Sequence, residues 1–128
     1  MAQLLWICLA GAVGTGARYG VGLWATRAFG AGFPYGTLAV NLAGSFLISV
    51  VMVLAVSTPY VGPSLRLTLT TGFMGGLTTY SSFNHETLRY LDERAWGMGA
   101  LYMLVTGGGC LVAGALGLVV ARRFAGAG

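Results

Sequence analysis

Residues 72 to 83 read Gly-Phe-Met-Gly-Gly-Leu-Thr-Thr-Tyr-Ser-Ser-Phe, and this stretch decides how the third of four apolar segments folds. Paired glycines followed by threonines, serines and aromatic residues disfavour a helix, in which each glycine costs about 1 kcal/mol relative to alanine. We therefore predict that the third helix breaks between Gly75 and Thr79. A bilayer tolerates freed carbonyls and amides only where protein buries them or where they meet water or ions. The break thus predicts an ion site, and a glycine kink that only eases packing is the alternative.

The composition of the chain predicts a membrane protein. Of its 128 residues, 56% are hydrophobic and 8% are charged, against about 25% charged in a soluble domain. A membrane-spanning helix needs about 20 mostly apolar residues, so four spans nearly fill the chain. We predict an all-α integral membrane protein with one transmembrane domain over residues 1–128. Its four transmembrane helices are expected at about 3–27, 34–57, 65–90 and 95–122.

The arginines favour neither orientation in the membrane. Cytoplasmic loops normally carry the excess of Lys and Arg. Arg18 lies within the first helix; of the others, Arg66, Arg122 and Arg123 fall on one side, and Arg27, Arg89 and Arg94 on the other. We therefore predict insertion in both orientations and an antiparallel homodimer, and a single orientation set by other features is the alternative. The charges are too dispersed for a nucleic-acid binder, so the expected partners are the lipid bilayer and a second copy.

Two of the predicted helices carry polar stripes, in which residues four apart share one helix face. The second helix has Thr37, Asn41, Ser45 and Ser49 at this spacing, and the fourth has Tyr102, Thr106 and Cys110. These neutral groups can donate hydrogen bonds to an anion without carrying a fixed charge. Two stripes together favour a conduit, although hydrogen bonding between packed helices is the alternative for each residue.

Side chains near the predicted break bear on the kind of ion. Tyr80 and Phe83 are three residues apart, and their positive ring edges can face an anion, although such aromatics more often serve packing. Arg18 requires a water-filled vestibule or a partner and can attract anions, or else it reaches to the membrane surface. Glu86 and His85 follow near the end of the helix, and we expect them to be solvated.

Three segments of the sequence resemble the bacterial fluoride channels called Fluc or CrcB. They are residues 11–19 (Gly-Ala-Val-Gly-Thr-Gly-Ala-Arg-Tyr), 36–46 (Gly-Thr-Leu-Ala-Val-Asn-Leu-Ala-Gly-Ser-Phe) and 72–83. Their order and spacing and the length of the chain all fit, and 72–83 is the most specific part. The resemblance implies a dual-topology antiparallel homodimer with two fluoride pores and a central, structural sodium ion.

The resemblance also implies roles for the matching residues. Asn41 would line the pore, and the ring edges of Tyr80 and Phe83 would face fluoride. Gly75 and Thr78 would offer backbone carbonyls to sodium. The other expected pore residues are Tyr102, Thr106 and Cys110 as a polar track, Arg18 as a vestibule arginine, and Thr79 and Ser81 as further donors. Tyr80 stands where the family usually has Phe, and Cys110 where Ser is more usual.

The predicted function is passive, fluoride-selective export across the bacterial cytoplasmic membrane, which protects the cell from fluoride. Fluoride holds its water strongly, so donors and ring edges must replace that water together, and a narrow donor-rich path leaves larger halides poorly solvated. A small drug and proton exchanger is disfavoured because the first two helices contain no carboxylate. A structural subunit of a larger complex is the second alternative. An enzyme is not expected, because no nucleophile, base and orienting group can be assembled.

Overall fold

Long apolar runs form helices because a helix satisfies its own backbone polar groups where water is absent. The computed structural model describes residues 1–126. Its helices are α1 (Ala2–Phe29), α2 (Tyr35–Ser57), α3 (Pro63–Leu67), α4 (Gly75–Leu77), α5 (Tyr80–Asp92) and α6 (Trp96–Phe124), with a π-helix over Thr68–Met74 between α3 and α4. There is no β-strand within residues 1–126, and α1, α2 and α6 are long and apolar enough to cross a membrane. The protein is therefore all-helical and has the character of a multi-pass membrane protein.

The segment between α2 and α6 consists of two helical parts. Pro63 occupies the start of α3, where the missing N–H is harmless because the first amides of a helix have no helical partner. From there α3, the π-helix and α4 follow one another without a gap, and we call this stretch the 63–77 run. Thr78 and Thr79 then adopt extended backbone angles, with ψ of 157° and 112°. Thr79 caps α5, because its hydroxyl accepts a hydrogen bond from the Ser82 amide at 3.2 Å.

Glycines bring α1 against the 63–77 run, while α6 packs along α2. A Cβ on Gly14 would overlap the carbonyl oxygen of Phe73, and a Cβ on Gly76 would overlap the carbonyl oxygen of Gly11. Close backbone packing of this kind is a main source of helix association in lipid, where no hydrophobic force acts between helices. The contact fixes the position of the 63–77 run just before its end.

The surface of the single chain is strongly apolar. Val56, Leu104, Leu111 and Phe124 are among many large side chains that are exposed, whereas the buried core around Val40 is small. An apolar surface of this extent marks contact with lipid or with other protein. It agrees with a chain that crosses a membrane several times.

Candidate ion-conduction site

A cavity of about 450 Å³ opens where the 63–77 run ends and α5 begins. Helices α2 and α6 complete its wall. Of the site residues expected from the sequence, the cavity is lined by Asn41, Gly75, Thr78, Thr79, Tyr80, Phe83, Thr106 and Cys110. The extended threonines, the aromatic pair and the polar stripes of α2 and α6 therefore meet at one place.

Two further hydroxyl residues line this cavity. Ser45 belongs to the α2 stripe, whereas Thr70 was not singled out from the sequence. Thr70 lies in the π-helix, whose hydrogen bonds span five residues instead of four. A regular helical period therefore cannot predict which side chains of this segment reach the cavity.

Asn41 holds the extended residues through two buried hydrogen bonds. Its Nδ2 donates to the carbonyl oxygen of Thr79 at 3.1 Å, and its Oδ1 accepts from the amide of Thr79 at 2.8 Å. The amide side chain thus pairs with the backbone of Thr79 as a neighbouring strand would. An Asn side chain has two N–H donors, and within residues 1–126 Nδ2 of Asn41 donates one hydrogen bond, to the Thr79 carbonyl.

A row of aromatic rings leads from the cavity into the protein. The ring centroids of Tyr80 and Phe83 are 5.8 Å apart, and those of Phe83 and Tyr102 are 5.2 Å apart, with the planes tilted by 56° and 57°. Tyr80 is 78% exposed, whereas Tyr102 is fully buried. Tilted rings of this kind can present their positive edges to an anion.

The α6 wall of the cavity carries an unsatisfied donor. Thr106 is 4% exposed, and its hydroxyl makes no hydrogen bond of normal geometry within residues 1–126. A buried polar group without a partner costs about 1–3 kcal/mol. One turn further along, Cys110 is a half-buried free thiol. The hydroxyl of Thr106 is thus a fully buried polar group in the α6 wall, next to the cavity.

Glu86 is partly buried and hydrogen-bonded within the protein, so the sequence-based expectation of a solvated carboxylate holds only in part. Its carboxylate accepts hydrogen bonds from the hydroxyls of Thr37 at 2.8 Å and Tyr102 at 2.6 Å, and the side chain is half-buried. His85, by contrast, is exposed as expected. Glu86 follows Phe83 by three residues, so the two share a helix face. This spacing of three residues was the sequence signal that could have placed Glu86 on the same side of the helix as Phe83.

A second cavity, of about 300 Å³, has this carboxylate in its lining. Thr37, Glu86 and Phe33 are among its lining residues. Phe33 comes from the connection between α1 and α2, and its ring meets that of Tyr102 edge-on at 5.3 Å. Because Tyr102 also contacts Phe83, it lies between the two cavities.

Three expected site residues are not part of the main cavity wall. Tyr102 lies behind Phe83, and Ser81 is exposed with its hydroxyl 3.2 Å from that of Thr79. Arg18 is half-buried on α1, and its Nη1 donates to the carbonyl oxygen of Thr78 at 3.3 Å. A role in conduction for these three residues stays a prediction.

Known proteins resemble this chain over nearly its full length. Residues 5–118 match a family model described as CrcB-like protein, camphor resistance (CrcB). A protein of Sorangium cellulosum is 53% identical over 123 residues, which cover 96% of this chain and 97% of the relative. A protein of an Anaeromyxobacter species is 50% identical over 126 residues, covering 98% of this chain and all of the relative. A protein of Citrifermentans bemidjiense is 44% identical over 122 residues, covering 95% and 98%. All three relatives are named fluoride-specific ion channel FluC.

Proposed function

The chain belongs to the CrcB family, and we propose that it is a fluoride-selective channel through which fluoride leaves the cytoplasm down its electrochemical gradient. It is a multi-pass protein of the bacterial cytoplasmic membrane. The observation that carries the proposal is the cavity at the extended threonines, where neutral donors from α2 and α6 surround two aromatic rings. The names of the relatives supply the identity of the ion.

The chemistry of the cavity suits a small, strongly hydrated anion. The neutral side chains of Asn41 and Thr106 line the same cavity as the rings of Tyr80 and Phe83. Neutral donors attract an anion without the tight binding that a buried Arg or Lys would cause, and conduction requires an ion that leaves as readily as it enters. A larger halide would fit a narrow path of such donors poorly and would remain poorly solvated in it.

The proposed path continues from the main cavity past Tyr102 to the second cavity. The obstacle along this path is the negative charge of Glu86. Tyr102 and Thr37 both donate to that carboxylate, and hydrogen bonds of this kind disperse its charge. The same two hydroxyls can turn to an anion only by leaving Glu86, so we propose that the carboxylate and fluoride compete for them.

The proposed assembly is an antiparallel homodimer with two pores, one for each chain. The single chain leaves polar residues of the 63–77 run and α5 exposed, among them Thr71, Ser81 and Asn84. Polar groups are costly against lipid, and a second copy would cover them. The balanced arginines support an opposite orientation for that copy. A tag at the C-terminus should then be accessible from both sides of the membrane, and labelling from one side only would refute dual topology.

The proposed structural sodium ion would lie between the two copies. Within residues 1–126 no three His, Cys, Asp or Glu side chains cluster as metal ligands, so a cation here would depend on backbone oxygens. Carbonyls of a discontinuous helix suit Na⁺, and Gly75 and Thr78 lie where the helix ends. One chain supplies two such carbonyls and a pair supplies four, so the site is incomplete without the second copy. These carbonyls would coordinate the ion, and the shared ion would hold the two copies in register.

The experiment is fluoride efflux from liposomes that contain the purified protein. Potassium and an ionophore set the membrane potential, and matched vesicles hold chloride. Rapid fluoride release without chloride release is expected. Release of both ions would refute selectivity. If folded and dimeric protein released neither fluoride nor chloride, the result would favour the alternative that the protein is a structural subunit of a larger complex.

A proton-coupled exchanger is the second candidate, because Glu86 is a half-buried carboxylate in the protein interior. Titratable groups in such positions often serve proton relays. The two functions differ in what drives the flux. An exchanger accumulates fluoride against its gradient when only a pH gradient is imposed, whereas a channel follows the fluoride gradient and the membrane potential. We expect no uphill accumulation.

A further inference from the structure

Two backbone amides near the break are taken by side chains instead of by the helix. The Thr79 amide donates to Oδ1 of Asn41 at 2.8 Å. The Ser82 amide donates to Oγ1 of Thr79 at 3.2 Å. Among residues 1–126, these are the two backbone amides that donate to a side chain.

The two captured amides identify two carbonyls. In an α-helix each amide donates to the carbonyl four residues earlier. An unbroken helix would therefore pair the Thr79 amide with the Gly75 carbonyl and the Ser82 amide with the Thr78 carbonyl. Both carbonyls are deprived of their helical donors by the two side chains. They are the same two carbonyls that the proposed function assigns to sodium.

We propose that Asn41 and Thr79 are positioning residues which create the cation site by capturing these amides. The inference rests on the proposed function for the identity of the ion. Asn41 also donates to the Thr79 carbonyl, so the peptide cannot rotate back towards helical geometry without losing two buried hydrogen bonds. Thr79 then starts α5 as its cap, one residue after the Thr78 carbonyl.

The glycines of the motif do not cause the break. Gly75 has φ of −61° and ψ of −35°, which is ordinary helical geometry, and α4 continues through Gly76 to Leu77. Between the start of α3 and the end of α5, the backbone leaves helical geometry at Thr78 and Thr79. Residues with branched side chains such as Thr disfavour a helix only slightly, so the side-chain capture of the amides is the stronger cause.

The test measures sodium binding without measuring flux. Purified dimer in detergent is heated in increasing NaCl, with N-methylglucamine chloride holding the ionic strength constant, and the sodium concentration that gives half of the thermal stabilisation is recorded. Thr79→Val removes the capturing hydroxyl at equal size. Asn41→Leu removes both hydrogen bonds of the amide. Each variant should raise the half-stabilising sodium concentration at least tenfold.

Conservative variants separate positioning from general damage. Thr79→Ser retains a capturing hydroxyl and should restore the sodium response of the wild type. Ser45→Ala removes another hydroxyl of the same cavity, but one that takes no backbone amide, and should leave the sodium response unchanged. If Thr79→Val fails to fold, the half-stabilising sodium concentration is measured on Thr79→Gly instead, because glycine is accepted at a helix N-cap but has no hydroxyl.

Each outcome decides a different claim. A wild-type dimer that sodium does not stabilise would overturn both the sodium ion of the proposed function and this inference, while leaving the fluoride channel open to its own test. A wild type that sodium stabilises, with Thr79→Val or Thr79→Gly responding equally, would overturn this inference alone. If Thr79→Ser lost the sodium response as fully as Thr79→Val, Thr79 would act through its methyl group. That result would also overturn this inference.

Discussion

The protein contains two glycine-rich stretches with opposite outcomes. Gly107, Gly108 and Gly109 follow one another within α6, which nevertheless continues as a helix of 29 residues. Residues 72–77 also contain three glycines and are helical, yet two extended residues follow them. Among residues 1–126, a side chain accepts a backbone amide only at the second stretch. Glycine thus permits close packing, and hydrogen-bonding side chains decide where a helix ends.

The largest effect is expected where a glycine makes backbone contact. In Gly76→Ala the new methyl group would overlap the Gly11 carbonyl and lie 3.0 Å from the Thr15 amide, so α1 and the 63–77 run would have to separate. Overpacking typically costs about 1–3 kcal/mol, and contact with backbone puts this site at the upper end. Thermal unfolding in detergent should show a clearly lowered midpoint, and size-exclusion profiles should show more aggregated protein than the wild type.

The control for this change is Gly20→Ala, on α1 itself. A methyl group there meets nothing within 4 Å, so the stability should equal that of the wild type or exceed it by about 0.5–1 kcal/mol, since alanine favours a helix over glycine. If the two variants were equally stable, glycine packing would not hold α1 against the 63–77 run. The conclusion that glycine serves close packing in this stretch would then be wrong.

The next effect tests the polar link from α5 to α6. In Glu86→Gln the side chain keeps its size, but the amide nitrogen that replaces one carboxylate oxygen cannot accept the hydrogen bond that Thr37 or Tyr102 donates to that oxygen. Hydrogen bonds to a charged group are worth about 1.5–3 kcal/mol, and loss of one corresponds to roughly a tenfold change in an equilibrium. We expect fluoride efflux to change by about this factor. Asp92→Asn, an exposed acid on the same helix, should have no effect; equal efflux in Glu86→Gln would remove the carboxylate from the path.

The sequence was informative where a feature depends on local order and not where it depends on distant partners. The long helices could be predicted because runs of apolar residues are counted along the chain. The convergence of Asn41, Thr106 and Phe83 on one cavity agrees with spacings of three and four residues. The partners of Glu86 lie 49 and 16 residues away, and the amide that Asn41 captures is 38 residues away. No local pattern contains these distances. The break was therefore predicted from the local run of glycines, hydroxyl residues and aromatics without its partners, and Glu86 was expected in solvent.

A smaller effect concerns the contact of Arg18 with the break. Its guanidinium donates to the Thr78 carbonyl, so it competes with a cation for that oxygen. Arg18→Gln should lower the half-stabilising sodium concentration about threefold, since a like charge at hydrogen-bond distance repels the ion and solvent screens part of this repulsion. Arg27→Gln, exposed at the end of α1, should leave it unchanged. An unchanged value for Arg18→Gln would mean that Arg18 leaves the carbonyl when the two copies assemble.

The smallest effect separates the two roles of glycine within α6. Gly107 lines the main cavity and Gly108 does not, and a methyl group on either meets nothing within 4 Å in the single chain. Neither Gly107→Ala nor Gly108→Ala should therefore destabilise the subunit, and alanine should favour the helix by about 0.5–1 kcal/mol. Only Gly107→Ala narrows the cavity, so fluoride efflux should fall by about two- to threefold there and stay constant in Gly108→Ala, since the lining of a pore sets its conduction. A loss of stability in Gly108→Ala alone would instead place that face of α6 against the second copy, and equal efflux in both would show that the narrowest part of the path lies away from α6.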